Sequence, residues 1–211
     1  MEKQIIECVP NFSNGRDQGV INQITNEIKL IEGVKLLSVE PGEATNRTVV
    51  TFVGEPEKVI EAAFQAIKKA SELIDMSKQT GEHPRMGATD VCPLIPISGI
   101  TMQETVTYAK KLGKRVGKEL NIPIYLYEDA ATKAERKNLA NIRSGEYEAL
   151  EEKLKQKKWE PDFGSNSFKI AKKTGATAIG ARDFLIAYNI NLNTTSTRRA
   201  NAVAFDIREK G

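Results

Sequence analysis

Apolar and polar positions alternate along this chain at two periods, and each change of period marks a new element. Gln4 to Pro10 reads as a short strand closed by Pro10, which has no N–H for a ladder. Asn11 to Asp17 is a turn rich in helix-capping residues. Val20, Ile21, Ile24, Ile28 and Ile31 then follow helical spacing as far as Gly33, which reads as a C-terminal cap. Val34 to Val39 is a strand, Pro41 to Asn46 a loop, and the β-branched run Arg47 to Val53 the returning strand. Glu55-Pro56-Glu57 opens a helix with proline early and acid in the first turn. Its buried stripe is Val59, Ala62, Ala63, Ala66, Ile67, Ala70 and Ile74. A polar loop covers Gln79 to Asp90. Val91 to Ile97 is a strand, Thr101 to Leu120 a helix with Thr101 and Glu104 in a capping-box pattern, and Pro123 to Tyr127 a further strand.

The order over 4–97 is β-α-β-β-α-β, the split βαβ or ferredoxin-like arrangement of an α/β (α+β) protein, with one helix–strand unit appended. An open α/β sheet of another topology fits the same periodicity. Residues 130–175 are charged and helical at first, then small, polar and basic from Gly164 to Gly175, as in a linker or binding loop. Phe184 to Leu192 reads as a strand and about Ser196 to Arg208 as a helix. One strand and one helix cannot bury a core alone. The expected division is therefore a first subdomain over 1–163, a loop over 164–178, and the start of a second, incomplete subdomain over 179–211.

Composition narrows the chemistry. With 40% hydrophobic and 28% charged residues in 211, the chain is ordinary for a globular protein. No apolar run approaches the roughly 20 residues of a membrane span, and no secretory signal opens the sequence. The net charge of +3 is too weak to argue for nucleic acid, and the lysine runs lack interleaved aromatics for base stacking. Cys8 and Cys92 sit in apolar strand-like segments and read as reduced core residues of a cytoplasmic protein. A single histidine excludes a His-rich zinc site, so any imidazole chemistry belongs to His83.

Four stretches could carry chemistry. Gly81-Glu82-His83-Pro84-Arg85-Met86-Gly87 crowds three ionisable residues into one loop, and a histidine titrating near neutrality suits acid–base work. A surface histidine in a turn is the alternative. In Glu40 to Arg47, Asn46 and Arg47 could grip a carboxylate, against a plain hairpin loop. Asn11 to Gly15 could offer backbone N–H groups to a carboxylate, against simple capping. Lys153 to Lys158, with Lys169, Lys172 and Lys173, could form a cationic channel, against a solvated helix face.

Together these stretches resemble the formiminotransferase domain of glutamate formiminotransferases. The residues that carry the resemblance are Glu7 to Ser13, Thr45-Asn46-Arg47-Thr48-Val49, Leu73 to Met76, Gly81 to Ala88, Asp90 to Pro93, Gly145 to Leu150, Trp159 to Gly164, and Phe184 to Leu192. The resemblance implies two ferredoxin-like subdomains with folate bound between them, and a homodimer. It implies that His83 is the catalytic histidine and that Glu40, where the family commonly has the shorter Asp, is its acidic partner. The stretch from Gly164 to Lys173, with Gly164, Ser165, Asn166, Ser167, Phe168 and Lys169 at its start, would be the folate-binding loop. Asn11, Asn46, Arg47 and Arg85 would meet substrate or folate carboxylates. The implied reaction moves a formimino group from N-formimino-L-glutamate to tetrahydrofolate, with no metal. A formyl donor, or a non-catalytic folate- or partner-binding relative, are the competing readings. The second subdomain would continue for about another hundred residues, by the usual size of a domain.

Overall fold

A computed structural model describes residues 3–185, 190 and 192–207. The first strand is interrupted. β1 (Ile5–Cys8) and β2 (Asn11–Phe12) are separated by Val9 and Pro10, and both halves lie between β4 (Arg47–Gly54) and β5 (Thr89–Ser98). The break costs little pairing. Pro10 has no N–H to lose, and its carbonyl still accepts from Val50 N–H at 3.0 Å.

α1 (Gln18–Lys29) begins at Asp17, whose carboxylate accepts from the Gly19 and Val20 N–H groups. Its cap at the other end is Leu30, with Gly33 three residues further on at φ +86°. The expected Gly33 cap therefore turns the chain into β3 (Val34–Gly42) instead of closing the helix. α2 (Pro56–Leu73) has proline in its first turn, and α3 (Met102–Leu120) carries the full Thr101–Glu104 capping box.

These three helices pack on one face of the sheet. Ile6, Cys8, Val50 and Phe52 from the strands meet Val59, Ala62, Ala63, Ala66 and Ala70 of α2, all fully buried. Small residues along α2 let the helix sit close to the sheet, where excluded apolar area supplies the main driving force. Cys8 and Cys92 lie in this core as free thiols, Sγ to Sγ 3.5 Å.

The sheet runs β3-β4-β1/β2-β5-β7-β6, with β6 at Ile124–Glu128 and β7 at Thr177–Ala181. Each neighbouring pair along β3, β4, β1 and β5 is antiparallel, which is the ferredoxin-like core. β7 then pairs parallel to both β5 and β6. The crossover from β5 through α3 to β6 skips one strand position, and β7 fills it. The expected boundary at 178/179 consequently falls inside a strand of the first sheet. All five residues of β7 are buried, as a parallel strand covered on both faces requires.

Residues 130–163 fold around β6, with α4 (Leu139–Arg143) and α5 (Leu150–Leu154) as short turns. Arg136 clasps this segment: fully buried, it donates to Asp162, at 2.6 Å, and to the Glu160 carbonyl. Lys153, expected on a solvated face, is buried. Its ammonium donates to the Ile142 and Ser144 carbonyls, both at 2.7 Å, and burial pushes its pKa down to about 8.

The stretch expected as a linker is anchored. α6 (Phe168–Ala171) sets the Phe168 ring against Tyr147, and Met76 and Ala88 N–H groups bond to the Lys173 and Thr174 carbonyls. The strand expected over Phe184–Leu192 lies largely on residues 186–189 and 191, outside the described residues. α7 (Thr197–Ile207) matches the expected last helix up to Arg208, which is also outside them.

Candidate active site

Three loops meet at one end of the antiparallel strands: the turn after β2, the β3–β4 hairpin end, and the loop from Gln79 to Ala88. Asn46 ties them together. It sits at φ 46°, a left-handed conformation that asparagine tolerates. Its side-chain oxygen accepts from Gly15 N–H at 3.0 Å, and its amide donates to the Thr80 carbonyl at 2.7 Å. Approach is so close that a Cβ on Gly15 would stand 2.2 Å from the Gly42 carbonyl, and one on Gly81 2.4 Å from that of Thr45. Ser13 Oγ donates to the Gly87 carbonyl at 2.7 Å and closes the ring of loops.

His83 sits on this platform, half-buried. Its Nδ1 is 2.7 Å from the Pro84 carbonyl oxygen, which can only accept, so Nδ1 carries the proton. Arg47 Nη1 stands 2.7 Å from Nε2 and 3.4 Å from Nδ1, so the guanidinium lies over the ring and not along the in-plane Nε2 lone pair. The Pro84 carbonyl thus selects Nδ1 for the proton of the neutral ring, which leaves the lone pair on Nε2. Burial lowers the His83 pKa below the ordinary imidazole value, and the Arg47 charge lowers it further. At neutral pH the group is a base, not an imidazolium.

Arg47 enters from the first residue of β4, where the chain leaves the hairpin. It too is half-buried, and its own pKa is lowered by burial and by the charge of Arg143. Beneath both lies Asp90. Fully buried, it accepts from Met86 N–H at 3.0 Å and is ion-paired with Arg143, which reaches it from the end of α4. Asp90 and Arg143 are the site residues that sequence reasoning missed. A carboxylate inside an apolar strand signals a buried partner, since an unpaired one would be prohibitively costly. That partner is 53 residues away, and no local pattern gives it.

Two expected roles change. Glu40 does not orient His83. It lies on the exposed edge strand β3 opposite Val49, and its carboxylate accepts from Ser38 Oγ at 2.7 Å. The acidic charge felt at His83 is that of Asp90. Arg85 is not a free fork for substrate either. Its Nε bonds Gln79, its Nη1 bonds Glu146 and Glu148, and its Nη2 bonds Glu148 and the Gln79 carbonyl. All five donors are engaged, so Arg85 clamps the loop to residues 146–148.

Asn11, expected to meet substrate, is buried and bonds its Nδ2 to the Val9 carbonyl across the strand break. The N–H groups at the start of α1 are capped by Asn14 and Asp17, which leaves the capping reading of that turn. Gly164 to Lys169 stand at the same end of the strands as His83, at the start of β6, where Gly164, at φ +83°, passes close to the Ile122 carbonyl. Gly164, Asn166 and Lys169 are exposed; Ser165, Ser167 and Phe168 are partly buried. The cleft of about 250 Å³ between α2 and α3 lies on the helical layer instead, and its charges pair across it, Lys111 with Glu57 and Arg115 with Glu61.

The site combines a neutral imidazole, an arginine with no carboxylate partner among the described residues, and a buried Asp–Arg pair. It can take a proton from an incoming nucleophile beside a carboxylate-bearing substrate. Residues 5–182 match the family described as formiminotransferase domain, N-terminal subdomain. The chain is 55% identical to mouse formimidoyltransferase-cyclodeaminase over 99% of its own length and 38% of that protein's. It is 50% identical to glutamate formimidoyltransferase of Streptococcus pyogenes serotype M1, covering 99% of this chain and 69% of the relative. For the glutamate formimidoyltransferase of Thermoplasma acidophilum the identity is 49%, over 98% and 68%. The first relatives it matches are thus spanned over well under half their length. By the match over most of its residues and by these identities, the chain belongs to the formiminotransferase family, with residues 5–182 matching the N-terminal subdomain.

Proposed function

We propose that this chain carries the acid–base centre of an enzyme that transfers the formimino group of N-formimino-L-glutamate to tetrahydrofolate, giving 5-formiminotetrahydrofolate and glutamate. The observation that supports it most is the state of His83: the chain's one histidine, held neutral with its lone pair on Nε2 where three loops converge. N5 of tetrahydrofolate attacks the amidine carbon and forms a C–N bond. Its proton passes to Nε2. The tetrahedral intermediate collapses as the imidazolium gives that proton to the departing glutamate nitrogen, whose C–N bond to the carbon breaks. One base that acts twice leaves the protonation of the enzyme unchanged. Holding both substrates side by side lowers the entropic barrier further.

In this reading Arg47 receives a substrate carboxylate. The segment from Gly164 to Lys169 receives folate, supported by its position at the same end of the strands and its exposed lysine. A homodimer acting in the cytoplasm belongs to the same proposal, with light scattering as the check on the dimer. The experiment for the reaction is steady-state turnover by the parent and by His83→Ala. A loss of about a hundredfold or more is expected on removing the acid–base group. Undiminished turnover in the variant would overturn the assignment.

A further inference from the structure

Lys153 is buried, and the reaction described above does not use it. Among the described residues no carboxylate pairs with its ammonium. It donates instead to the carbonyls of Ile142 and Ser144, both at 2.7 Å, and lies 4.7 Å over the Trp159 ring. Those two carbonyls flank Arg143. A helix of five residues such as α4 leaves its last carbonyls unsatisfied and is unstable alone. The ammonium therefore fixes the backbone on both sides of the residue whose guanidinium holds Asp90 beneath His83. We propose that Lys153 is a positioning residue for the acid–base centre, acting on His83 through Arg143 and Asp90. This rests on the reading of His83 given above and adds to it the part of the fold that holds the base in place.

The path from Lys153 to the loop is continuous. Asp90 accepts from Met86 N–H at 3.0 Å with one carboxylate oxygen and pairs with Arg143 through the other. From the same segment, Tyr147 N–H donates to the Arg85 carbonyl at 2.9 Å. That carbonyl and Met86 N–H belong to one peptide unit, so both of its polar groups are held, close after His83 in the same loop. An apolar side chain at 153 would fill the space and leave two carbonyls without their donor. No neighbouring charge replaces the ammonium. Arg143 on α4 is turned to Asp90, and Glu151 and Glu152 on α5 pair with Lys155. Lys158, in the turn at Lys157–Trp159, lies 5.6 Å over the same Trp159 ring, and Lys169 on α6 is exposed. Burial alone lowers the Lys153 pKa, to about 8. Bonds from a charged donor are roughly twice as strong as those from a neutral one. The hold is therefore full below that pH and weakens as pH rises through it.

The single histidine makes the test direct. In the free full chain, the His83 ring protons and the Met86 amide are followed by NMR across a pH range that brackets both midpoints. The expected result is a second inflection at about pH 8, after His83 has become neutral, seen at both reporters. Lys153→Met removes the charge and should abolish that inflection, with both signals fixed at the parent's alkaline positions. Lys153→Arg carries a charge that does not titrate there and should also abolish it, with both signals fixed at the parent's neutral-pH positions. If the methionine variant does not fold, the parent and the arginine variant still decide. Parent signals that stay flat above the His83 midpoint overturn the proposal, as does an inflection that persists in either variant. An inflection at His83 with a still Met86 amide overturns the route through Asp90. The outcome is separable from that of the reaction. Turnover with a flat titration discards the role of Lys153 and keeps the transferase, whereas a Lys153-dependent inflection without turnover does the reverse.

Discussion

A histidine whose neighbours are a guanidinium and a carbonyl behaves differently from one paired with a carboxylate. The latter would hold its proton more tightly; His83 holds it less tightly, because burial and Arg47 both disfavour the charged ring. The sign for catalysis follows. The base is active when neutral, so activity is lost as pH falls through the lowered midpoint. The acid limb of kcat/KM, which reports the free enzyme, should lie below pH 6.5, the ordinary value for the side chain. A pH-rate profile with its acid limb above that value would show a carboxylate acting on the ring in solution. Asp90 makes a second prediction. Asp90→Asn leaves Arg143 as an uncompensated, largely buried charge and should destabilise the fold by about 3–5 kcal/mol, read as a lowered denaturant midpoint. Arg85→Met should cost less, about 1–3 kcal/mol, because Glu146 and Glu148 can turn to water once released.

Among the elements, helices were the most legible from sequence. Asp17, Pro56 and the Thr101–Glu104 pair mark starts that the structure bears out. Thr101→Ala should lower stability by about 1 kcal/mol through loss of the cap, with no change in turnover, checked by thermal melting beside an activity assay. Strands β3, β4, β5 and β6 also followed the apolar pattern. β7 did not, because Thr177-Ala178-Ile179-Gly180-Ala181 is short and made of small residues, which read like the loop before it. Only its slot between β5 and β6 makes it a strand, and that is a tertiary fact. Site legibility divided in the same way. His83, Asn46 and Arg47 lie in motifs contiguous in sequence. The Asp90–Arg143 pair and the engagement of Arg85 by residues 146–148 join positions more than fifty residues apart. Glu40 was misjudged because its strand position is right but its side chain lies on an exposed edge, bonded to Ser38.

At the scale of the whole molecule, one sheet serves two purposes. Its helical face is a closed core. One end of its strands collects His83, Arg47, Asp90 and the segment from Gly164 to Lys169, with Met76 bonded to Lys173 and Ala88 to Thr174. That anchoring gives the imidazole a fixed geometry before substrate arrives, which is what a positioned acid–base group needs. Residues 5–182 match an N-terminal subdomain, and the chain spans 38% of the mouse relative and 69% of the Streptococcus pyogenes one. Moving the proton in the proposed formimino transfer is the role we assign to His83. It is tested most directly by single-turnover measurement of 5-formiminotetrahydrofolate from N-formimino-L-glutamate and tetrahydrofolate, with the protein in excess, for the parent and His83→Ala. The parent should give product, and the variant a rate lower by about a hundredfold or more. Equal rates in the two proteins, or no product from the parent, would contradict it.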